Sequence, residues 1–219
     1  MLSSPHRLIM AILCTAVLAA PTVGSAAPPA GVPVGRSFVD NFDNPATLTD
    51  PVKAVWQTSG TVQAGKGVVV IGNPKNHMEN TWIATKAFYT GDFTLEVKAR
   101  LVSDPRLWGG YGVWFRMPSR TGIYRDGGTG YVFGYVYGDR GVTLTKWPLD
   151  HNIAPKVRVT IDDRWHVIKV VARGSHLQGF LDGRLVFDAV DTDLKEGHIG
   201  IGTCYRGVVE VDYVKITVP

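Results

Sequence analysis

From Phe38 onward, apolar side chains recur at every second position in short runs, and each run is closed by Gly, Pro, Asn or Asp. That period belongs to a strand with one face in a core and the other toward solvent. Phe93-Thr94-Leu95-Glu96-Val97-Lys98-Ala99, Val142-Thr143-Leu144-Thr145 and Trp165-His166-Val167-Ile168-Lys169-Val170-Val171 are the clearest cases. No segment sustains a helical period over three turns. The 25 glycines and 13 prolines fall mainly between the runs, where turns need a positive or preset φ. Asp182-Gly183 sits between alternating Gln178–Leu181 and Arg184–Phe187, the composition of a two-residue type I′ hairpin turn. About twelve short strands with closely spaced turns, and no internal repeat, predict an all-β sandwich or jelly roll of two antiparallel sheets.

The N-terminus differs. Arg7 precedes an apolar stretch from Leu8 to Ala20, followed by small residues to Ala27, the order of a secretory signal peptide. The stretch is shorter than the roughly 20 residues a spanning helix requires, and no later segment approaches that length, so membrane insertion is not expected. Residues 1–27 are read as a leader, 28–36 (Pro-Pro-Ala-Gly-Val-Pro-Val-Gly-Arg) as a flexible tether and 37–219 as one domain, secreted and monomeric. Loss of Arg7 lowers the net charge from +4 to +3 without a basic cluster, which argues against nucleic acid. Of two cysteines only Cys204 remains, which excludes an internal disulfide and suggests a buried thiol.

Several segments, taken in order, resemble the concanavalin A-like lectin/glucanase superfamily, especially its laminin-G-type and 3-keto-disaccharide hydrolase-like domains. They are Phe38-Val39-Asp40-Asn41-Phe42-Asp43, Trp82-Ile83-Ala84-Thr85, Gly91-Asp92-Phe93-Thr94-Leu95-Glu96-Val97, Tyr111-Gly112-Val113-Trp114-Phe115-Arg116 and Gly130-Tyr131-Val132-Phe133-Gly134-Tyr135. Trp165 to Val170, Leu181-Asp182-Gly183, Gly197 to Ile201 and Val209 to Ile216 complete the series. The resemblance implies a concanavalin A-like jelly roll whose concave sheet receives a glycan, in a superfamily of binding modules, hydrolases and lyases.

Catalytic motifs fit poorly. The Glu-x-Asp-x-x-Glu strand of laminarinase-like relatives has its nearest counterpart in Glu210 to Lys215, where the last acid is lysine. Hydrolase-like relatives carry a Glu and a Gln where this chain has Val132 and Gly134, although Arg116 matches their strand-closing arginine. The catalytic residues are unassigned; Glu96 and Asp126 are the acids to consider, and whether the chain is an enzyme stays open. His77, His151, His166, His176 and His198 show no metal-site spacing. Asp40, Asp43 and Asp212 are candidate Ca²⁺ ligands where the first and last strands would pair.

Alternation assigns faces. Tyr111, Val113 and Phe115 share one side with Tyr131, Phe133, Tyr135, Val142 and Leu144; Trp114, Arg116, Thr143, Thr145 and Trp147 point to the other, over a floor of Val132 and Gly134. A sugar offers an apolar C–H face edged by hydroxyls, so tryptophan rings beside planar polar groups suit it. Trp114, Arg116 and Trp147, with Thr145, Tyr124 and Trp108, are therefore the candidate contacts for a poly- or oligosaccharide. A glycoside hydrolase, a polysaccharide lyase and a protein-binding adhesion domain are the alternatives.

Overall fold

The computed structural model describes residues 28–65, 67–73, 75–76, 79, 81–103, 109–120, 128–138, 140–148, 151–204 and 206–219. The leader at 1–27, His77, Trp108, Tyr124, Asp126 and the side chain of Cys204 lie outside that description.

In chain order the described strands are β1 (Phe38–Asp40), β2 (Trp56–Ser59), β3 (Val62–Ala64), β4 (Val69–Ile71), β5 (Trp82–Thr85), β6 (Tyr89–Thr90), β7 (Phe93–Leu101) and β8 (Gly110–Met117). They continue with β9 (Gly130–Val136), β10 (Gly141–Trp147), β11 (His151–Asn152), β12 (Val157–Arg158), β13 (His166–Arg173), β14 (His176–Leu181), β15 (Arg184–Val190), β16 (Glu196–Cys204) and β17 (Val209–Thr217). The one described helix, α1 (Ala46–Thr49), is a single turn. Strands outnumber the sequence expectation because several span only two or three residues.

Two antiparallel sheets result. One runs β15-β14-β13-β7-β17-β4-β3, with β1 also on β17; the other runs β11-β10-β9-β8-β16-β5-β2, with β12 on β10 and β6 on β16. In β7, Phe93, Leu95, Val97, Ala99 and Leu101 are buried while the residues between them are not, so the sequence period translates directly into an inner and an outer face. The core between the sheets takes Leu95, Val97, Ile168, Val170, Val211 and Val214 from the eight-stranded sheet and Tyr111, Val113, Phe115, Tyr131, Phe133 and Tyr135 from the nine-stranded one. Phe133 meets Phe187 across the interface edge-on, with ring centroids 5.0 Å apart. The Asp182-Gly183 turn has φ of 50° and 80° at its two residues, the type I′ geometry, and joins Leu181 to Arg184.

The tether reading needs correction for residues 33–36. The Gly35 N–H donates to Phe88 O at 2.7 Å and the Phe88 N–H to Pro33 O at 2.8 Å, so this segment is docked on the turn between β5 and β6. Gly35 permits it: a Cβ there would lie 2.4 Å from the Tyr89 ring.

Candidate functional site

The outer face of the nine-stranded sheet is built in rungs. Register places Trp82, Gly202, Gly112, Gly134 and Thr143 on one rung, and Ala84, Gly200, Trp114, Val132, Thr145 and Asn152 on the next. Three adjacent glycines therefore separate Trp82 from Thr143. A Cβ on Gly134 would come 2.8 Å from Thr143 Oγ1, so that rung has room for no larger residue without displacing the threonine.

Trp114 and Trp147 meet on this face with ring centroids 6.1 Å apart and planes tilted by 41°. Their exposures differ. Trp114 is fully buried in a small cluster with Trp82, Ala84, Met117 and Val132, while Trp147 packs against that cluster and stays partly exposed. The expectation of an open Trp114 ring is thus corrected: Trp114 is the support and Trp147 the accessible ring. Thr145 lies beside them but is buried, a support rather than an open contact; its hydroxyl donates to Oδ1 of the exposed Asn152 at 3.2 Å.

Arg116 does not join them. At the contact with β16, Phe115 and Arg116 together face Ile199, because the register shifts between His198 and Gly200. This is a β-bulge, and Arg116 is its left-handed residue, with φ of 54°. The extra residue resets the alternation, so Met117 rather than Arg116 follows Trp114 onto the outer face. Arg116 is buried, and its Nη1 donates to Leu194 O at 2.9 Å. Burial pulls its guanidinium below the ordinary value, against the opposing influence of Tyr131 and Asp92.

The segment Arg116 reaches is held by a polar clamp on the inner side of β9 and β10. Tyr131 Oη donates to Asp191 Oδ1 at 2.5 Å and accepts the Leu194 N–H at 3.1 Å, and Lys146 Nζ is 2.8 Å from Asp191 Oδ2 while also bonding Asp193. Burial first, then the bond to Asp191, pushes the Tyr131 phenol well up. The clamp anchors one end of the sheet that carries Trp147.

The three aspartates do not form one ligand set; among the described residues no three His, Cys, Asp or Glu side chains are grouped to hold a metal ion. The first and last strands do pair, with Asp40 opposite Val214. However, Asp40 is buried and accepts the Trp56 indole N–H at 2.8 Å and the Phe42 N–H at 2.9 Å. Asp43 takes the Asn41 amide at 2.5 Å, and Asp212 is paired with Lys98 at 2.7 Å on the outside of the other sheet. Glu96 is also on that opposite sheet, where it accepts the Tyr213 hydroxyl at 2.8 Å.

Sequence reasoning missed Trp82. Its indole is almost fully buried, and Nε1 has no hydrogen-bond partner among the described residues. The signal was available: Ile83 is core, so the neighbouring Trp82 and Ala84 had to face outward.

The sequence pattern of the 3-keto-alpha-glucoside-1,2-lyase-like domain matches residues 40–218. A comparison with curated proteins by sequence finds no match. Among solved structures, the chain is similar to the carbohydrate-binding module CBM66 from Bacillus subtilis, with TM-score 0.59, 20% identity, and coverage of 75% of this chain and 96% of that one. It is also similar to a Bacillus licheniformis beta-glucanase, with TM-score 0.64, 12% identity, and coverage of 84% and 99%. The carbohydrate recognition domain of Emp46p gives 0.59 and 17%, with coverage of 78% and 92%. At these identities the likeness shows the shared jelly-roll fold.

Proposed function

Because the chain belongs to the 3-keto-alpha-glucoside-1,2-lyase-like domain family, we propose that it is an exported carbohydrate-recognition protein that holds a poly- or oligosaccharide against the outer face of its nine-stranded sheet. The observation that carries this reading is the partly exposed Trp147 seated on the buried Trp114, beside Thr145 and Asn152. The aromatic plane receives the C–H face of a sugar ring, and the exposed Asn152 amide, held by the buried Thr145 hydroxyl, takes its equatorial hydroxyls. The carbohydrate-binding name of the Bacillus subtilis neighbour points the same way.

Binding without hydrolysis is the reading favoured. Glycoside hydrolysis needs two carboxyl groups flanking the scissile bond, about 5 Å apart when configuration is retained and further apart when it is inverted. The outward positions of β8, β9 and β10 carry Gly110, Gly112, Trp114, Met117, Gly130, Val132, Gly134, Val136, Gly141, Thr143, Thr145 and Trp147, with no acid among them.

A glycan array tests the proposal, followed by incubation of any bound glycan and analysis of the products. Binding with the glycan recovered intact supports it. Smaller products would replace it with an enzymatic function, and no glycan bound at all would overturn it.

A further inference from the structure

A second aromatic surface lies on the opposite side of the molecule. Trp165, the residue immediately before β13, is partly exposed, with the Arg100 guanidinium carbon 4.8 Å and Lys98 Nζ 5.6 Å from its ring centroid. The register that sets His166 opposite Ala99 brings Trp165 beside Arg100, and Arg100 in turn faces Glu210 on β17. The combination expected for the nine-stranded sheet, a tryptophan beside an arginine on an accessible face, is realised here on the eight-stranded one.

The polar groups around this ring are arranged in neutral pairs. Arg100 Nε and Nη2 both reach Glu210 Oε2 at 2.7 Å, and Lys98 reaches Asp212 Oδ2 at 2.7 Å. These four side chains are 23–39% exposed, so the pairs stand in solvent beside the ring. Arg100 directs two nitrogens at one oxygen, so Glu210 Oε1 and Arg100 Nη1 take no part in either of these contacts. An acceptor and a planar donor are thus left next to an aromatic ring.

That set matches adjacent hydroxyls on an uncharged sugar, one donating to the carboxylate and one accepting from the guanidinium. A polyanion would need surplus positive charge, which the pairing with Glu210 and Asp212 cancels at this spot. We propose that Trp165, Arg100 and Glu210 form a second saccharide-contact site, so that one molecule grips two stretches of an uncharged polysaccharide. The inference rests on the carbohydrate reading above. Two sites on opposite sheets give avidity toward a polymer, or cross-linking of two chains, that a single oligosaccharide would not reveal.

The test follows the indole N–H resonances of the protein while cellohexaose, laminarihexaose, xylohexaose and maltohexaose are titrated in turn, with calorimetry for stoichiometry. At least one oligosaccharide should shift both the Trp147 and the Trp165 signals, at a stoichiometry of two. Trp165→Ala should reduce the stoichiometry to one and leave the Trp147 shift intact. Glu210→Gln keeps the ring and should weaken binding at Trp165 about tenfold, which preserves the test if Trp165→Ala does not fold. A Trp147 shift with Trp165 unmoved overturns the second site and leaves the first reading standing. A Trp165 shift alone supports the second site and overturns the placement at Trp147. If neither signal moves with any of the four sugars, both fail.

Discussion

The rings of Trp147 and Trp114 lie 6.1 Å apart on the outer face of the nine-stranded sheet, one partly exposed and the other fully buried. Two substitutions should therefore behave differently. Trp147→Ala is expected to remove stacking of about 1–2 kcal/mol, a 5- to 30-fold loss of glycan affinity, with little change in melting temperature. Trp114→Ala should cost about 3–5 kcal/mol of stability, because it empties the centre of a packed cluster. Thermal melts beside binding isotherms decide it, and a Trp114→Ala protein that melts like the parent would refute the assignment.

The bulge that removes Arg116 from the outer face depends on close backbone contact with β16. Gly197 has φ of 148°, and a Cβ there would lie 2.4 Å from both the nitrogen and the oxygen of Met117. Gly197→Ala is expected to destabilise the protein by about 2 kcal/mol or more. Denaturant titration measures it, and a midpoint within error of the parent would contradict the strain.

Asp40 secures the Trp56 indole and the Phe42 amide in the core. Asp40→Ala should cost about 1–3 kcal/mol, since it strands two buried donors. The same loss is expected with added calcium or with a chelator. A loss seen only when calcium is present would mean that Asp40 works as a metal ligand instead.

His166 bridges two carboxylates, with Nδ1 2.7 Å from Asp182 and Nε2 2.8 Å from Asp162, and its ring packs 5.3 Å from that of Tyr135. Burial opposes its charge, but Asp182 and Asp162 outweigh it and raise the pKa above 6.5. Burial also opposes the Asp162 carboxylate, yet His166 and Arg164 hold it below 3.8. The imidazolium contribution is complete below pH 6.5 and fades as pH rises through the raised value; the Asp162 contribution is complete above 3.8 and fades on acidification. The melting-temperature advantage over His166→Gln should therefore be largest near pH 5.5 and shrink toward about pH 9. An advantage constant across that range would rule the ion pairs out as its source.

Much of this protein was legible in its sequence. Strict alternation assigned Tyr111, Val113, Phe115, Tyr131, Phe133 and Tyr135 to the core, and all six lie there. Asp182-Gly183 specified a hairpin that needs two positive φ angles, and both are present. The ordered segments from Phe38 to Ile216 pointed to the family whose pattern matches residues 40–218. These features are local: a period of two, a turn dipeptide, a string of strand-sized motifs.

Only the tertiary structure decided the rest. Alternation assigns a face until a residue is inserted, and insertion is settled by the partner strand. Ile199 facing both Phe115 and Arg116 turned Arg116 inward, and the register shift after Val211 set Asp212 beside Lys98 rather than near Asp40. Nor does a face dictate its exposure: Trp114 points outward as its period requires, yet Trp82, Val132 and Trp147, brought from three other strands, pack around it. Local sequence determined which way side chains point; long-range packing determined what they meet, because the neighbours that bury or expose a side chain come from strands distant along the chain.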